Sequence, residues 1–357
     1  MRERDVDHLL VTNPKDVAYL TGFLGGDSFL FIGPRGKPLI LSDRRYEEEL
    51  AGFSDVAKLV LRDGPMAPLI ARLTAERHDA GALERLGVQG EDLTLAQLDG
   101  MKSAFKKARV AVRTLTPVEN MLGPLRRVKD EQEIRTIQRA AKLQQEAMKA
   151  VLPEAKPGIS ELELCAMLEA EMKARGSSEP AFETIVGAQA NGSKSHYAPR
   201  HTRLRKGKPL LIDWGATVDG YRSDMTRTFS LGTWPKELAA VYDIVLEAHE
   251  AGAAALRAGV LCADVDAAAR DVIDRAGYGE KFGHSLGHGI GLNVHERPTL
   301  SRHAGEATVE EGHVVTIEPG VYLPGVGGVR IEDDYLVTRR GSKNLCSLPK
   351  DRAWATL

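Results

Sequence analysis

The sequence has no excess of positive charge and no long apolar run. Its 357 residues include 48 Lys and Arg against 50 Asp and Glu, so the composition provides no general attraction to nucleic acid or to an anionic membrane. No stretch of about 18 apolar residues occurs, which argues against a membrane-spanning helix. The first residues alternate in charge, whereas a signal peptide requires an apolar run. We therefore expect a cytoplasmic protein with neither nucleic-acid nor membrane partners.

Cysteine is also scarce. Cys165, Cys262 and Cys346 are odd in number and far apart in the chain, which indicates reduced core thiols and not disulfides. None of them lies in a motif that would lower its pKa and make it a nucleophile. The sequence therefore disfavours both a cysteine-ligated structural zinc site and a cysteine-dependent hydrolase.

The chain is long enough for about two domains, and its patterns change between residues 116 and 124. Before this break, short apolar runs at residues 9–11, 28–32 and 38–41 predict strands, and the turn at 33–36 predicts a hairpin. Helical patterns cover residues 68–77 and 93–107. Residues 1–120 are thus predicted to form a small α/β domain.

Longer helical patterns follow the break. Asp130 with Glu133 and Ser160 with Glu163 each predict a capping box at the start of a helix. Two further helices are predicted over residues 235–258 and 264–276, and short strands lie between the helices. Residues 121–357 are predicted to form the second, larger domain, so the fold class is α/β (α+β) with the small domain at the N-terminus.

Four carboxylates and one imidazole lie on the predicted strands of the second domain or beside them. Without counter-ions the carboxylates would repel and raise one another's pKa, so such a cluster requires cations. Carboxylates with a single imidazole suit Mn²⁺, Co²⁺ or Zn²⁺, and two such metals can polarise a carbonyl and supply a hydroxide. The pattern predicts a two-metal hydrolase site. Its residues are Asp213, Asp224, His288, Glu318 and Glu332.

Six short motifs contain these residues or lie near them: Asp213-Trp214-Gly215, residues 220–228, residues 287–291, His295-Glu296-Arg297-Pro298, residues 318–322 and residues 328–333. In order and spacing, these motifs resemble those of the proline-specific metallopeptidases prolidase and aminopeptidase P. Those proteins share the pita-bread fold with methionine aminopeptidase and creatinase. The match extends over about 120 residues, and residues 125–134 and 1–120 also resemble the corresponding parts of that family.

The resemblance implies a role for each ligand. Asp213 is expected to chelate one metal, Asp224 and Glu332 to bridge both, and His288 and Glu318 to complete the second. Glu318 is also the expected general base. The resemblance further implies two divalent metals per chain, with Mn²⁺ expected and Co²⁺ or Zn²⁺ as alternatives.

Five other residues are implied to assist the metals. His196, His284 and His295 resemble the histidines of the family that contact the substrate without binding metal, and an imidazole near the leaving group can donate its proton. Tyr322 and Arg330 are expected to support the ligands or the substrate. For Arg330, an ion pair with Asp333 is an alternative.

The function implied is that of a homodimeric exopeptidase that removes the N-terminal residue from Xaa-Pro peptides, as an Xaa-Pro aminopeptidase does. The first alternative is an Xaa-Pro dipeptidase. Two further alternatives are less favoured. A methionine aminopeptidase usually lacks an N-terminal domain of this size, and a catalytically silent, peptide-binding member of the fold has typically lost metal ligands.

Two departures from the family motifs leave questions open. Many dipeptidases have an Arg after the His-Glu-x-Pro motif, where it pairs with the carboxylate of the substrate. This chain has Thr299 there, which favours longer substrates, and Arg297 is a candidate substitute. Ser195 precedes His196 where many relatives have Pro, so the shape of that loop is not predicted.

Overall fold

A computed structural model describes residues 5–79, 83–111 and 114–357, and the chain divides into two compact units between Pro124 and Leu125. The charged residues 1–4 lie outside the described part. The domain limits drawn from the sequence, 1–120 and 121–357, stay a prediction.

The first unit contains a mixed six-stranded sheet in the order β4-β3-β2-β1-β5-β6. The predicted hairpin is confirmed, because β2 and β3 pair antiparallel with Leu30 opposite Ile40. Two clusters of buried apolar side chains pack around the sheet. The strands β1 to β6 are His8–Val11, Phe29–Ile32, Leu39–Ser42, Lys58–Leu61, Leu86–Gln89 and Leu115–Val118; the helices α1 to α4 are Pro14–Thr21, Glu47–Ala51, Met66–Asp79 and Leu95–Lys107.

The rest of the chain forms longer helices and antiparallel strands. Both predicted capping boxes are confirmed, with Asp130 at the start of α6 and Ser160 at the start of α7. The helices α5 to α9 are Gly123–Arg127, Glu131–Val151, Glu161–Ala174, Lys236–Ala255 and Cys262–Arg275. The strands β7 to β18 are Ile185–Ala188, Pro209–Trp214, Thr217–Val218, Tyr221–Arg222, Met225–Ser230, Gly287–Gly289, Glu296–Leu300, Val314–Ile317, Gly320–Leu323, Gly327–Arg330, Asp333–Thr338 and Gly341–Asn344.

The strands of the second unit form one sheet in the order β11-β8-β7, another in the order β13-β12-β14-β17-β18, and two hairpins, β9-β10 and β15-β16. One large apolar core joins the faces of these sheets to α6 through α9. The connection between β8 and β11 contains the hairpin β9-β10, which the sequence did not predict. Among the described helices, none has both the length and the apolar character needed to cross a bilayer.

The three cysteines are free and buried, as predicted. Burial raises the pKa of the Cys165 thiol to about 12, and it also raises the pKa of the Cys262 and Cys346 thiols. Each therefore stays a neutral thiol at physiological pH, which is unsuited to nucleophilic attack.

Candidate metal centre

Strands and strand ends of the second unit position the five predicted metal ligands. β8 and β11 pair so that Asp213 lies opposite Thr226, and the Glu332 amide donates to the Thr226 carbonyl at 3.1 Å. These pairings bring residues from distant parts of the chain to one point. Asp213 lies on β8, Asp224 directly before β11, His288 on β12, Glu318 directly after β14, and Glu332 between β16 and β17.

Three of these side chains form a compact group. Asp224, His288 and Glu332 each offer a ligand atom, and these atoms lie within 4.8 Å of one another. Glu318 adjoins the group, since its Oε1 lies 3.3 Å from His288 Nε2. Asp213 is held by Arg330, whose Nη2 donates to Asp213 Oδ2 at 2.5 Å.

Two carboxylate oxygens of the cluster have no hydrogen-bond partner within the described part of the chain. Oδ1 of Asp213 and Oδ1 of Asp224 are buried, and neither has a hydrogen-bond partner among the residues that the structure describes. Buried oxygens of this kind are costly unless a donor or a cation satisfies them. Together with the buried imidazole, they suit a divalent cation as the missing partner.

The pKa values of the cluster support the same conclusion. Burial, and then the charges of Glu332 and Asp213, raise the pKa of Asp224 well above its usual value. Burial, and then the charges of Glu318 and Asp213, do the same for Glu332. Burial also raises the pKa of Asp213 against the opposing charge of Arg330. A cation among these carboxylates would restore their charged form.

Glu318 differs from the other acids. Burial raises its pKa, but the hydrogen bond from His288 and the positive charges of His288, His284 and Arg330 outweigh burial and lower the pKa to about 2. The pKa of His288 is correspondingly raised, because the hydrogen bond and charge of Glu318 exceed the effect of burial. Glu318 is thus an ionised carboxylate, ready to accept a proton or to bind a cation.

Arg330 connects the cluster to two of the other predicted residues. Its Nη1 donates to the Tyr322 hydroxyl at 2.7 Å, and that oxygen lies 2.9 Å from His284 Nε2. The alternative pairing of Arg330 with Asp333 is wrong, because Asp333 pairs with Arg227 at 2.7 Å. Arg330 ends β16 and Asp333 begins β17, so the two side chains lie on different strands and the neighbours of each strand set its partner.

A cavity of about 680 Å³ opens onto the cluster. Burial lowers the pKa of His284, and burial together with the charge of His288 lowers the pKa of His295. Both rings therefore favour the neutral form, in which one nitrogen donates and the other accepts. The histidines that line the cavity are His196, His284, His288 and His295.

Two supporting residues were missed in the sequence. Thr226 Oγ1 donates to Glu332 Oε2 at 2.6 Å and accepts from Arg330 Nε at 2.9 Å. Its position two residues after Asp224, in the same extended segment, is a signal that could have identified it. Asp334 Oδ2 accepts from the Asp224 amide at 3.0 Å. No local pattern identifies Asp334, because its partner is 110 residues away.

Comparison with known proteins adds a family and relatives of similar structure. Metallopeptidase family M24 matches residues 135–339, and the creatinase/prolidase N-terminal domain matches residues 1–128. An Xaa-Pro dipeptidase of Pyrococcus furiosus is 32% identical over 98% of this chain and 96% of its own.

Two solved structures have the same architecture. The Xaa-Pro dipeptidase from Bacillus anthracis has a TM-score of 0.93 and 32% identity, covering 100% of this chain and 96% of its own. An X-Pro aminopeptidase from Thermotoga maritima MSB8 has a TM-score of 0.88 and 32% identity, covering 98% of each chain. The mixed α/β class with a small first domain is thereby confirmed.

Proposed function

Since the chain belongs to metallopeptidase family M24, we propose that it is a two-metal exopeptidase that hydrolyses the bond between an N-terminal residue and a following proline. The observation that carries the proposal is the buried group of Asp224, His288 and Glu332 at the cavity. Proline specificity is supported by the relatives, which include Xaa-Pro dipeptidases and an X-Pro aminopeptidase.

The proposed metal set uses all five predicted ligands. Asp213 would hold one cation, and His288 and Glu318 would hold the second. Asp224 and Glu332 would each contact both cations. When bound, two divalent cations polarise a scissile carbonyl and lower the pKa of water. The raised pKa values of Asp213, Asp224 and Glu332 support this assignment. We propose Mn²⁺ as the metal, with Co²⁺ or Zn²⁺ as alternatives, because the ligands are oxygen-rich and include one imidazole.

The residues of this chain supply the proton transfers. Glu318, ionised in the site, accepts the proton of the attacking water on a carboxylate oxygen. His196 and His295 line the cavity, where an imidazole can hydrogen-bond the scissile amide and donate a proton to the leaving proline nitrogen. His284 is held by its contact with Tyr322 and is placed to bind the backbone of the substrate. Arg330 fixes Asp213 and, with Tyr322, the ring of His284.

The other functions considered have less support. A methionine aminopeptidase is disfavoured because residues 1–128 match the creatinase/prolidase N-terminal domain, and methionine aminopeptidases usually lack a separate domain of this size. A silent member of the fold is disfavoured because all five ligand residues are present and adjacent to one cavity.

Two observations favour different substrate lengths. Thr299 cannot form the two-bond ion pair that an Arg offers a terminal carboxylate, which favours peptides longer than two residues. However, Arg297 Nη1 lies 3.3 Å from Thr299 Oγ1, and both residues line the cavity. A guanidinium is therefore present near the expected position. With the dipeptidases among the relatives, this contact favours the Xaa-Pro dipeptidase activity over the aminopeptidase activity.

The test measures kcat/KM for Ala-Pro, Ala-Pro-Ala and a pentapeptide beginning with Ala-Pro under one metal condition, with Ala-Ala as the control without proline. We expect cleavage of Ala-Pro in preference to the longer peptides and little cleavage of Ala-Ala. Arg297→Ala should reduce kcat/KM for Ala-Pro more than for Ala-Pro-Ala, whereas Arg302→Ala, which alters an exposed arginine that does not line the cavity, serves as the control. Preference for the pentapeptide would instead establish the aminopeptidase alternative, and cleavage of Ala-Ala alone would reject proline specificity.

The proposal includes three expectations from the sequence. The balanced charge supports a cytoplasmic protein, and the resemblance to the family supports a homodimer. The division at residues 120 and 121 is proposed as the boundary between an N-terminal domain and a catalytic domain, since the five ligands and the three histidines all follow it.

A further inference from the structure

His196 lies in a segment with little regular structure. Between β7 and β8 the chain contains a short 3₁₀ turn at Gln189–Ser193, and then bends and turns through His196 and beyond. Such a segment has no strand ladder to fix its shape. We infer that Glu161 is a positioning residue that sets the shape of this segment and thereby places His196 in the cavity. The inference rests on the proposed function, in which His196 contacts the substrate.

The carboxylate of Glu161 accepts four hydrogen bonds from the segment. Oε1 accepts from the Ala188 amide at 2.8 Å and from Asn191 Nδ2 at 2.9 Å. Oε2 accepts from the Tyr197 hydroxyl at 2.8 Å and from the Arg200 amide at 3.1 Å. Two donors precede His196 and two follow it, so one side chain ties both halves of the segment together.

Glu161 is fully buried, and among the residues described it forms no ion pair with Lys, Arg or His. Its charge is balanced by these four donors and by the start of α7, where Glu161 is the first helical residue. Hydrogen bonds to a charged acceptor are stronger than neutral ones, and a carboxylate in the first turn interacts favourably with the helix dipole. The carboxylate can thus hold the segment in one conformation.

The main chain of α7 binds the same segment. The Glu161 amide donates to the Thr202 carbonyl and the Leu162 amide to the Arg200 carbonyl, each at 3.0 Å. Tyr197 is buried and packs with Ile185 and Leu211. With its neighbour Tyr197 fixed in both ring and hydroxyl, His196 has little freedom to leave the wall of the cavity.

Glu161→Gln tests this role with almost no change in volume. The NH2 group that replaces one carboxylate oxygen donates hydrogen bonds and cannot accept them, so two of the four donors lose their acceptor while the remaining oxygen keeps the other two. We expect kcat for Ala-Pro to fall about tenfold or more, because small misplacements of a catalytic group have effects of that order. Metal content should stay the same, and KM should change less than kcat. Glu163→Gln is the matched control. Glu163 is an exposed acid in the same helical turn, and its carboxylate accepts a hydrogen bond from the Ser160 amide.

The decisive step repeats the substitution in a His196→Ala background. If Glu161 acts through His196, Glu161→Gln should cost less than about twofold in kcat there, because the effects of two residues in one pathway do not add. An equal loss in both backgrounds would overturn the inference, as would an unchanged kcat in Glu161→Gln alone. Should Glu161→Gln fail to fold, Tyr197→Phe removes a single donor and should show a smaller loss with the same dependence on His196.

A second readout separates the inference from the proposed function. The imidazole carbon signal of His196 is assigned in an NMR spectrum by its absence in His196→Ala. It should shift in Glu161→Gln and stay in place in Glu163→Gln, whatever peptides the protein cleaves. If wild-type protein cleaves no Xaa-Pro peptide, the proposed function is wrong. The positioning role is rejected separately, if the His196 signal does not shift in Glu161→Gln.

Discussion

Crowding of negative charge defines the candidate site at the scale of single residues. Asp224 and Glu332 are both buried. Burial and the negative charges of neighbouring acids raise the pKa of each. Glu318 alone among the clustered acids has a lowered pKa, because His288 contacts it. Asp224 and Glu332 therefore require cations to be charged, whereas Glu318 is ionised without them.

The two acids that we propose to bridge the metals lead to the first prediction. Asp224→Ala or Glu332→Ala should abolish hydrolysis of Ala-Pro and lower the metal content to one or none per chain, because each carboxylate would contact both cations. Activity and metal content, the latter by elemental analysis of dialysed protein, are the measurements. Asp219→Ala, which alters an exposed acid, is the control. Full activity with two retained metals in either cluster variant would exclude the proposed ligands.

The second prediction concerns proton transfer. Glu318→Gln should reduce kcat by about 10²- to 10⁴-fold, the usual scale for a general base, even where metal is retained. His295→Ala and His196→Ala should reduce kcat with metal content nearly unchanged. Steady-state kinetics and elemental analysis of the same samples provide the data. If a histidine variant lost its metal, that histidine would be a ligand, contrary to the assignment.

The five proposed ligands could be identified as candidates from the sequence because each lies in a short motif of fixed spacing, such as Asp213-Trp214-Gly215. Their supporting contacts could not. The partner of Arg330 is Asp213 rather than nearby Asp333, since the choice depends on which strand lies alongside. Local sequence does not contain that information.

At the scale of elements, a buried ion-pair cluster ties the segment before α6 to β13. Lys129 Nζ lies 3.2 Å from Glu296 Oε2, and the Lys129 side chain is only 1% exposed. Arg126 forms a second ion pair with Glu296. Burial raises the pKa of Glu296, but the charges of Lys129 and Arg126 lower it more. Glu296 follows His295 directly, so this cluster also holds the start of the strand at the cavity.

The third prediction follows from the burial of this cluster. Glu296→Gln should lower the free energy of unfolding by about 3–5 kcal/mol, because it leaves the buried ammonium of Lys129 without its counter-charge. Denaturant unfolding measures the change. Glu131→Gln is the control, since Glu131 pairs with Arg135 at an exposed site and should have little effect. Equal stability of the two variants would show that the buried Lys129–Glu296 pair contributes no more to the free energy of unfolding than the exposed Arg135–Glu131 pair.

Elements differ in how well the sequence predicts them. The starts of α6 and α7 were predictable because a capping box lies within four residues, as at Asp130 and Ser160. The hairpin β9-β10 has strands of two residues each, too short for alternation to be recognised. β12, which carries His288, contains two glycines in three residues and lacks the composition of a strand.

At the scale of the whole molecule, the order of the motifs along the chain predicted the architecture. The strand order β13-β12-β14-β17-β18 could not be read from local patterns, because hydrogen bonding between distant strands decides it. The resemblance to a family supplied the fold of the second domain but no strand order, and the TM-score of 0.93 with the Bacillus anthracis structure agrees with that fold.

Stability as a function of pH provides the fourth prediction. His313 is buried, and its Nδ1 accepts a hydrogen bond from the Glu310 amide at 3.1 Å. Burial, with the charges of Lys129 and Arg127, lowers the pKa of His313 from 6.5 to about 4. The unfolded chain therefore binds this proton more readily. The stabilisation is present above pH 6.5 and is lost as the pH falls toward 4, by about 1.4 kcal/mol per pH unit.

Denaturant unfolding between pH 7.5 and pH 4.5, a range of about three units around the histidine pKa, tests this prediction. His313→Gln should flatten the decline in stability relative to wild type, because glutamine does not titrate. His303→Gln is the control, since His303 is exposed. A His313→Gln profile parallel to that of wild type would contradict the role assigned to this histidine.

The central claim is that metal bound by the carboxylate cluster enables hydrolysis of Xaa-Pro peptides. The most direct measurement titrates metal-free protein, prepared with a chelator, with Mn²⁺ while bound metal and hydrolysis of Ala-Pro are followed in one sample. We expect no activity at the start and full activity when two Mn²⁺ ions are bound per chain. Full activity of the metal-free protein in the presence of chelator would contradict it.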